Sequence, residues 1–127
     1  MPIIGLNHYN LRAPTELLTQ LKEFYCEVVG LELGQRSPLS GSGYWLYAGG
    51  QDVLHLSSAG PDEVRLTHVV TTIDHIAFTC TERPEIESRL KRHGIPFESF
   101  HTPTASRFQI FFKDPAGNGV ELNFTEK

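Results

Sequence analysis

The chain has 127 residues, 39% of them hydrophobic, with a formal net charge of −4 and a pI near 5.8. This length and composition predict a single domain, residues 1–127, that buries a core without disulfides. Because the chain lacks clustered Lys and Arg, we expect no nucleic-acid partner. No stretch approaches the ~20 apolar residues that cross a bilayer, and the first residues do not resemble a signal peptide. We therefore expect a soluble, cytoplasmic protein without a membrane partner.

The two cysteines, Cys26 and Cys80, are isolated in the sequence. Neither belongs to a Cys-x-x-Cys pair, and together they do not make a disulfide framework. Reduced thiols of this kind are typical of a cytoplasmic protein. We predict structural roles for both.

The first half of the chain predicts the element order βαβββ. Apolar residues recur at three- and four-residue steps over residues 15–29, which predicts an amphipathic helix that ends at Gly30. Runs of β-prone residues bounded by Gly, Pro and Ser predict the strands. These strands cover residues 5–11, 31–36, 44–48 and 51–57, with a loop over residues 38–43. We take the module as residues 1–58.

The second half predicts the same order after a connector over residues 59–72. Pro84 lies near the start of a predicted helix that runs from residue 83 to Gly94. The predicted strands cover residues 73–80, 96–101, 107–113 and 119–125, and a tight turn over residues 114–118 precedes the last of them. The second module spans residues 73–127.

The two modules carry metal-ligand residues at equivalent points. His8 precedes His55 by 47 residues, and His75 precedes Glu121 by 46 residues. The surrounding strings also match, with Asn7-His8-Tyr9 against Asp74-His75-Ile76. A repeat that keeps ligand-type residues at its equivalent points predicts one metal site shared by both halves.

Strand alternation places each of these four side chains on the face away from its apolar neighbours. His55, for example, lies between Leu54 and Leu56, and Glu121 lies between Val120 and Leu122. Three imidazoles and one carboxylate suit a borderline or hard divalent ion. We predict one divalent metal, Zn, Ni, Fe(II), Mn or Co, held by His8, His55, His75 and Glu121.

Other polar and aromatic residues share the predicted face and are candidates for substrate contacts. Gln109 and Phe111 are two residues apart and therefore share one face of the strand before the last turn. The full set of predicted substrate contacts is Asn10, Arg12, Trp45, Gln109, Phe111 and Asn123.

These motifs resemble the vicinal oxygen chelate superfamily, which includes glyoxalase I, ring-cleaving dioxygenases and bleomycin-binding proteins. The resemblance rests on the paired βαβββ halves, the Asp114-Pro115-Ala116-Gly117-Asn118 turn and Val120-Glu121-Leu122. It implies an α+β fold in which two modules form a curved mixed sheet, with a concave metal site and helices on the outer face. It also implies a homodimer and a small-molecule substrate.

The resemblance implies a reaction class as well. A divalent ion bound to two neighbouring substrate oxygens stabilises an enediolate or another oxyanion. We therefore expect a glyoxalase-like lyase or isomerase, with Glu121 as metal ligand and general base. Glyoxalases commonly carry Glu where this chain has His55. His55 is therefore either a fourth metal ligand or a residue that contacts the ligands without binding the metal.

Two alternatives stay open on the sequence. His8, His75 and Glu121 form the two-histidine, one-carboxylate set of Fe(II) oxygen chemistry, which favours a ring-cleaving dioxygenase. However, such dioxygenases usually carry a tyrosine where this chain has Phe111. A bleomycin-type binding protein would need no metal and would hold its ligand in a groove lined by aromatic residues such as Trp45 and Phe111.

Overall fold

A computed structural model describes residues 2–37 and 42–125 of the chain. The chain forms two compact units, residues 1–65 and residues 66–127, and each holds one four-stranded mixed sheet with one α-helix. This confirms the predicted α+β class and the two βαβββ modules. No helix in the described part of the chain is long and apolar enough to cross a membrane.

The first unit is built from four strands and one helix. The elements in chain order are β1 (Tyr9–Ala13), α1 (Thr15–Phe24), β2 (Glu32–Gly34), β3 (Gly43–Ala48) and β4 (Gln51–Ser58). The strand order in the sheet is β1-β4-β3-β2, with β1 parallel to β4 and the other neighbours antiparallel.

Helix α1 ends in a π-helical turn, Tyr25–Val29, which completes the segment predicted as one helix. Gly30 then adopts a φ of 105°, a left-handed conformation that favours glycine and stops the helix. Helix α1 packs against β4 and buries Leu18 and Leu21. The helix therefore covers one face of the sheet.

The second unit repeats this arrangement. Its elements are β5 (His75–Cys80), α2 (Arg83–Arg92), β6 (Glu98–Thr102), β7 (Arg107–Lys113) and β8 (Gly119–Thr125), and a short 3₁₀ turn not predicted from the sequence covers Pro103–Ala105. The strand order in the sheet is β5-β8-β7-β6, with β5 parallel to β8.

Alternation along the strands separates the core from the polar face in both units. Leu54 and Leu56 on β4 are almost fully buried, whereas His55 between them lies on the opposite face. On β8, Val120 and Leu122 are buried in the same way on either side of Glu121. The predicted strand parity is confirmed at these positions.

Four strands, β1, β2, β5 and β6, begin later than predicted, and the shifts in β1 and β5 lie next to predicted metal ligands. β1 starts at Tyr9 rather than at residue 5, because its pairing with β4 begins at Tyr9 opposite Leu54. His8 therefore lies just before the strand. β5 starts at His75 rather than at residue 73, because its partner strand begins at Gly119.

Two connecting segments were predicted, one between the modules and one before β3. Residues 59–72, where the sequence left a short element after residue 63 open, contain no helix or strand. Residues 38–41 of the loop predicted over 38–43 lie outside the described residues, and Gly43 already belongs to β3.

The turn before β8 is held by one buried side chain. Asp114 is 4% exposed, and its Oδ1 accepts hydrogen bonds from the backbone N–H groups of Ala116 (2.8 Å) and Asn118 (2.9 Å). An aspartate that binds backbone groups two residues on is a typical turn former. The turn sets where β8 begins, and so fixes the register of Glu121.

Candidate functional site

The second unit brings His75 and Glu121 together. β5 and β8 pair in parallel, with His75 opposite Gly119 and Ala77 opposite Glu121, so the two side chains are diagonal neighbours on one face. Nε2 of His75 lies 3.1 Å from Oε1 of Glu121. The Glu121 side chain is only 7% exposed, whereas that of His75 is 36% exposed. The pair thus combines a buried carboxylate with an accessible imidazole.

The two oxygens of the Glu121 carboxylate have different surroundings. Oε2 accepts hydrogen bonds from Nδ2 of Asn123 (2.8 Å) and Nε2 of Gln109 (3.4 Å). Oε1 faces His75 instead. The amide groups compensate the desolvation of the carboxylate and hold its plane. They leave Oε1 as the oxygen available for chemistry.

A second carboxylate orients the His75 ring. Nδ1 of His75 donates a hydrogen bond to Oδ2 of Asp74 (2.8 Å), and this bond holds the pKa of Asp74 below its ordinary value. With Nδ1 bound to Asp74, Nε2 of the ring faces Oε1 of Glu121. The two atoms are within hydrogen-bond distance, and both are of types that bind divalent metals.

His8 in the first unit is oriented in the same way. Its Nδ1 donates a hydrogen bond to Oδ1 of Asn7 (2.7 Å), which leaves Nε2 available. Asn7 and Asp74 precede their histidines at equivalent points of the repeat. Metal-binding histidines characteristically pass their second N–H to an oxygen in this manner.

His55 is held differently. Its ring stacks between those of His8, with a centroid separation of 3.8 Å, and Trp45, with a separation of 4.2 Å. Its Nε2 hydrogen-bonds to Oδ2 of Asp52 at 2.6 Å, and this bond lowers the pKa of Asp52. The nitrogen that projects furthest from the strand is therefore already engaged.

The predicted contact residue Arg12 belongs to a polar network at the end of β1. Its Nε donates to Oε2 of Glu63 (2.7 Å), and its NH1 group donates to Ser57 (3.3 Å), whose hydroxyl in turn donates to Oδ1 of Asn10 (3.0 Å). Arg65 also binds Glu63. The network ties residues 63–65 to the sheet of the first unit.

We predict that acid weakens the ion pairs of Glu63 with Arg12 and Arg65. The hydrogen bond from Arg12, followed by the one from Arg65, lowers the pKa of Glu63 from 4.5 to about 2. The bond between Arg12 and Glu63 also raises the pKa of Arg12. Because the folded-state pKa of Glu63 is depressed, its stabilisation is present above pH 4.5 and is lost as the pH falls towards 2. The effect is small, since solvent screens exposed pairs.

Urea unfolding across this pH range should show a stability difference between the wild type and Glu63→Gln that shrinks as the pH falls. A difference that is constant over the whole range would contradict the prediction. High salt should reduce the difference at neutral pH.

Phe111 lies beside a cavity in the second unit. Its ring contacts His75 edge to face at 5.4 Å and Phe100 at 5.7 Å, measured between ring centroids. The cavity has a volume of about 530 Å³. Its lining includes His75 and Phe111, the charged residues Asp74, Glu98 and Lys113, and apolar side chains such as Phe97. This volume is in the range of small-molecule sites.

A glycine allows the close approach of β5 and β8 at this site. A Cβ atom on Gly119 would lie 2.1 Å from the backbone oxygen of Asp74 and 3.1 Å from Cβ of His75. No side chain fits there without moving the start of β5. Gly119 therefore sets the position of the His75 backbone.

The four predicted metal ligands fall into two pairs, His8 with His55 in the first unit and His75 with Glu121 in the second. Among residues 2–37 and 42–125, no three His, Cys, Asp or Glu side chains are grouped as a metal site. The donors in the second pair nevertheless fit a divalent ion, because a buried carboxylate oxygen and an oriented imidazole nitrogen face each other. The set contains no thiolate, as expected for a borderline or hard ion.

Sequence reasoning missed several residues of the site. Asp52, Asp74, Asn7 and Gly119 were not predicted to act, although the polar residue before each histidine of the repeat was a usable signal. Of the predicted substrate contacts, Gln109 and Asn123 bind Glu121, Trp45 stacks on His55, and Arg12 binds Glu63. Their role towards a substrate stays a prediction.

Residues 5–122 match the family model of the glyoxalase/bleomycin resistance protein/dioxygenase superfamily. The chain belongs to this superfamily. The match covers both βαβββ modules and confirms the resemblance found in the sequence motifs. Members of the superfamily commonly use a divalent metal. No curated protein matches the sequence.

Solved structures of glyoxalase-superfamily type share the fold. A glyoxalase family protein from Bacillus anthracis has a TM-score of 0.73 at 23% identity, covering 98% of this chain and 97% of its own. A lactoylglutathione lyase from Agrobacterium tumefaciens has a TM-score of 0.66 at 24% identity, covering 98% and 96%. An antibiotic-binding protein from a Streptomyces species has a TM-score of 0.70 at 22% identity, covering 99% of each chain. At these identities the likeness concerns the fold alone.

Proposed function

We propose that this superfamily member is a metal-dependent, glyoxalase-like enzyme of the lyase or isomerase type. Its substrate would be a small molecule with two neighbouring oxygens. The observation that carries the proposal is the His75–Glu121 pair, in which an imidazole Nε2 oriented by Asp74 faces a buried carboxylate oxygen at 3.1 Å. Imidazole nitrogen and carboxylate oxygen are both common ligands of divalent metals.

His8, His75 and Glu121 would hold one divalent ion, Zn, Ni, Fe(II), Mn or Co, with His55 as the fourth candidate ligand. When bound, the ion would act as a Lewis acid for negative charge that develops on a substrate oxygen. Asn7 and Asp74 would keep the rings of His8 and His75 turned for binding.

Glu121 is the proposed catalytic residue. Its Oε2 is engaged by Asn123 and Gln109, so Oε1 is the atom that would accept a proton from the substrate. The same amide donors would steady the carboxylate while its charge changes. Phe111 and the cavity beside His75 would hold an apolar part of the substrate. Asn10, Arg12 and Trp45 of the first unit complete the proposed contact set.

We also propose that the protein is a cytoplasmic homodimer. β1 and β5 each form one edge of their sheet, and apolar residues just before each strand are exposed: Ile3, Ile4 and Leu6 before β1, and Val70 and Ile73 before β5. Unpaired strand edges flanked by exposed apolar side chains support association with a second copy. Light scattering on the purified protein should give twice the chain mass of 14.3 kDa; a monomer would contradict the proposal.

Metal analysis followed by reaction screening tests the enzymatic function. Protein purified without chelator and without a nickel column should contain close to one divalent ion per chain. The loaded protein should then convert a methylglyoxal–glutathione adduct or a related chelating substrate. Cleavage of catechols with Fe(II) would instead assign a dioxygenase. Failure to bind any of the five metals would overturn the enzyme proposal and favour a small-molecule binding protein.

A further inference from the structure

The segment before β5 is fastened to the second unit at His68. The backbone N–H of His68 donates a hydrogen bond to the backbone oxygen of Ala116, at 2.8 Å. Ala116 belongs to the turn over residues 114–118, which sets where β8 begins. Among the described residues, this is the only backbone hydrogen bond between residues 66–73 and the rest of the chain. We term this attachment of His68 to the turn the connector clasp.

Gly117 allows His68 to lie this close to the turn. Gly117 has a φ of 89°, and a Cβ atom on it would lie 2.8 Å from both Cα and Nδ1 of His68. Unbonded carbon atoms pack at about 3.5–4.0 Å, so a side chain at this position would push His68 away. The connector clasp therefore needs a glycine here, both for the backbone angle and for the space beside it.

His68 itself has a backbone conformation that residues with a side chain rarely adopt. Its φ is 56°, in the left-handed region. Such a conformation persists only where surrounding contacts hold it, and it occurs most often at functional sites. The residue is exposed, so burial of its side chain does not explain the strain. The hydrogen bond to Ala116 and the packing on Gly117 are the contacts that hold it.

The connector clasp lies close to the proposed metal site along the chain. Only residues 69–74 separate His68 from His75, the first residue of β5. Asp74, whose carboxylate binds the His75 ring, lies in this segment and outside any strand. The large apolar side chains of the segment are exposed, so burial does not hold it in place: Val69, Val70 and Ile73. The end of a strand frays unless the segment before it is fastened.

We propose that the connector clasp positions Asp74 and His75 for metal binding, by holding the segment before β5 against the turn before β8. The inference rests on the proposed metal-dependent function and adds a control of its site. When the clasp opens, the free segment before β5 becomes longer and the start of β5 frays. Asp74 then no longer orients the His75 ring. His68 and Gly117 are thus positioning residues, which act through the backbone before β5.

Two substitutions open the connector clasp, one from each side. Gly117→Ala places a Cβ atom against the backbone of His68, and His68→Pro removes the donated N–H and cannot adopt a φ of 56°. Two control substitutions leave the clasp closed. His68→Gly keeps the N–H and relieves the left-handed strain. Gly94→Ala, just after α2, adds similar left-handed strain at a φ of 69°, but its Cβ meets nothing within 4 Å.

The first measurement is the Kd for Zn²⁺ on the full chain, by competition with a chromophoric chelator. Gly117→Ala and His68→Pro should each raise the Kd about tenfold or more, the usual effect of losing the residue that orients a metal ligand. The double variant should bind no more weakly than the weaker single variant, because both substitutions open the same clasp. Gly94→Ala and His68→Gly should keep the wild-type Kd.

Amide hydrogen exchange of the metal-free protein, followed by NMR, tests the connector clasp without metal. The amide of His68 should be protected in the wild type, because it donates a hydrogen bond. Amides at the start of β5 should exchange at least about tenfold faster in Gly117→Ala and His68→Pro. Gly94→Ala should leave them as in the wild type. Urea unfolding shows which variants are folded and compares the stability cost of the two alanine substitutions.

The remaining outcomes overturn the inference in different ways. An unchanged Kd in both clasp-opening variants, with faster exchange at the start of β5, would limit the clasp to a structural role and leave the proposed function standing. If Gly94→Ala weakens Zn²⁺ binding as much as Gly117→Ala does, general strain and not the clasp is responsible. If the wild type binds no metal, the proposed function fails and the inference fails with it. Should Gly117→Ala not fold, His68→Pro against His68→Gly gives the same comparison.

Discussion

Glu121→Gln is expected to weaken divalent-metal binding at least about 100-fold. This is more than the effect of removing a residue that only hydrogen-bonds to a metal ligand. The substitution keeps the size of the side chain but replaces its anionic oxygens with a neutral amide. Nε2 of His75 then faces a neutral amide in place of the carboxylate oxygen at 3.1 Å, and the metal loses its only proposed carboxylate ligand. Isothermal titration with Zn²⁺ or Mn²⁺ measures the change, and metal-dependent turnover should disappear with it.

Glu98→Gln is the matched control for this experiment. Glu98 lies on β6 opposite Phe111 and lines the cavity beside His75, but its side chain contacts neither His75 nor Glu121 among the described interactions. Its removal should change metal affinity little, because an exposed charge is screened by solvent. Equal metal affinity in Glu121→Gln and the wild type would show that Glu121 is not a ligand.

The sequence predicted the fold well because the two modules repeat. Equivalent strings at Asn7-His8-Tyr9 and Asp74-His75-Ile76 align the two halves residue by residue. Alternation on β4 and β8 then separates the buried leucines from the polar face. These are local patterns, and the hydrophobic periodicity that carries them does not depend on distant contacts.

The missed features depend on pairing between strands. Leu46 on β3 pairs with Leu54 but Ala48 pairs with Gln51, and this β-bulge lets Asp52 reach His55. The bulge arises from the register of β3 against β4, which a single sequence does not specify. The start of β1 at Tyr9 depends on the same region, since pairing with β4 begins only at Leu54. The sequence leaves the role of His55 open for this reason. Its hydrogen-bonding partner is a product of strand register and not of composition.

Gly119→Ala is expected to have the second large effect, on both stability and metal binding. The added Cβ would lie 2.1 Å from the backbone oxygen of Asp74, and backbone on both sides of the contact is held in the β5–β8 pairing. Overpacking of this kind costs about 1–3 kcal/mol or more. Relief requires β5 to move away at its start, which displaces both His75 and Asp74.

Gly5→Ala provides the control, because a Cβ at that position meets nothing within 4 Å. It should change the free energy of unfolding by no more than about 0.5 kcal/mol. Urea unfolding of the two variants measures stability, and Zn²⁺ titration under folding conditions measures the site. We expect Gly119→Ala to raise the Kd about tenfold or more, as the loss of a metal-orienting contact does. A destabilised Gly119→Ala variant with an unchanged Kd for Zn²⁺ would show that His75 reaches the metal without this close approach of β5 and β8. The role of Gly119 would then be limited to packing.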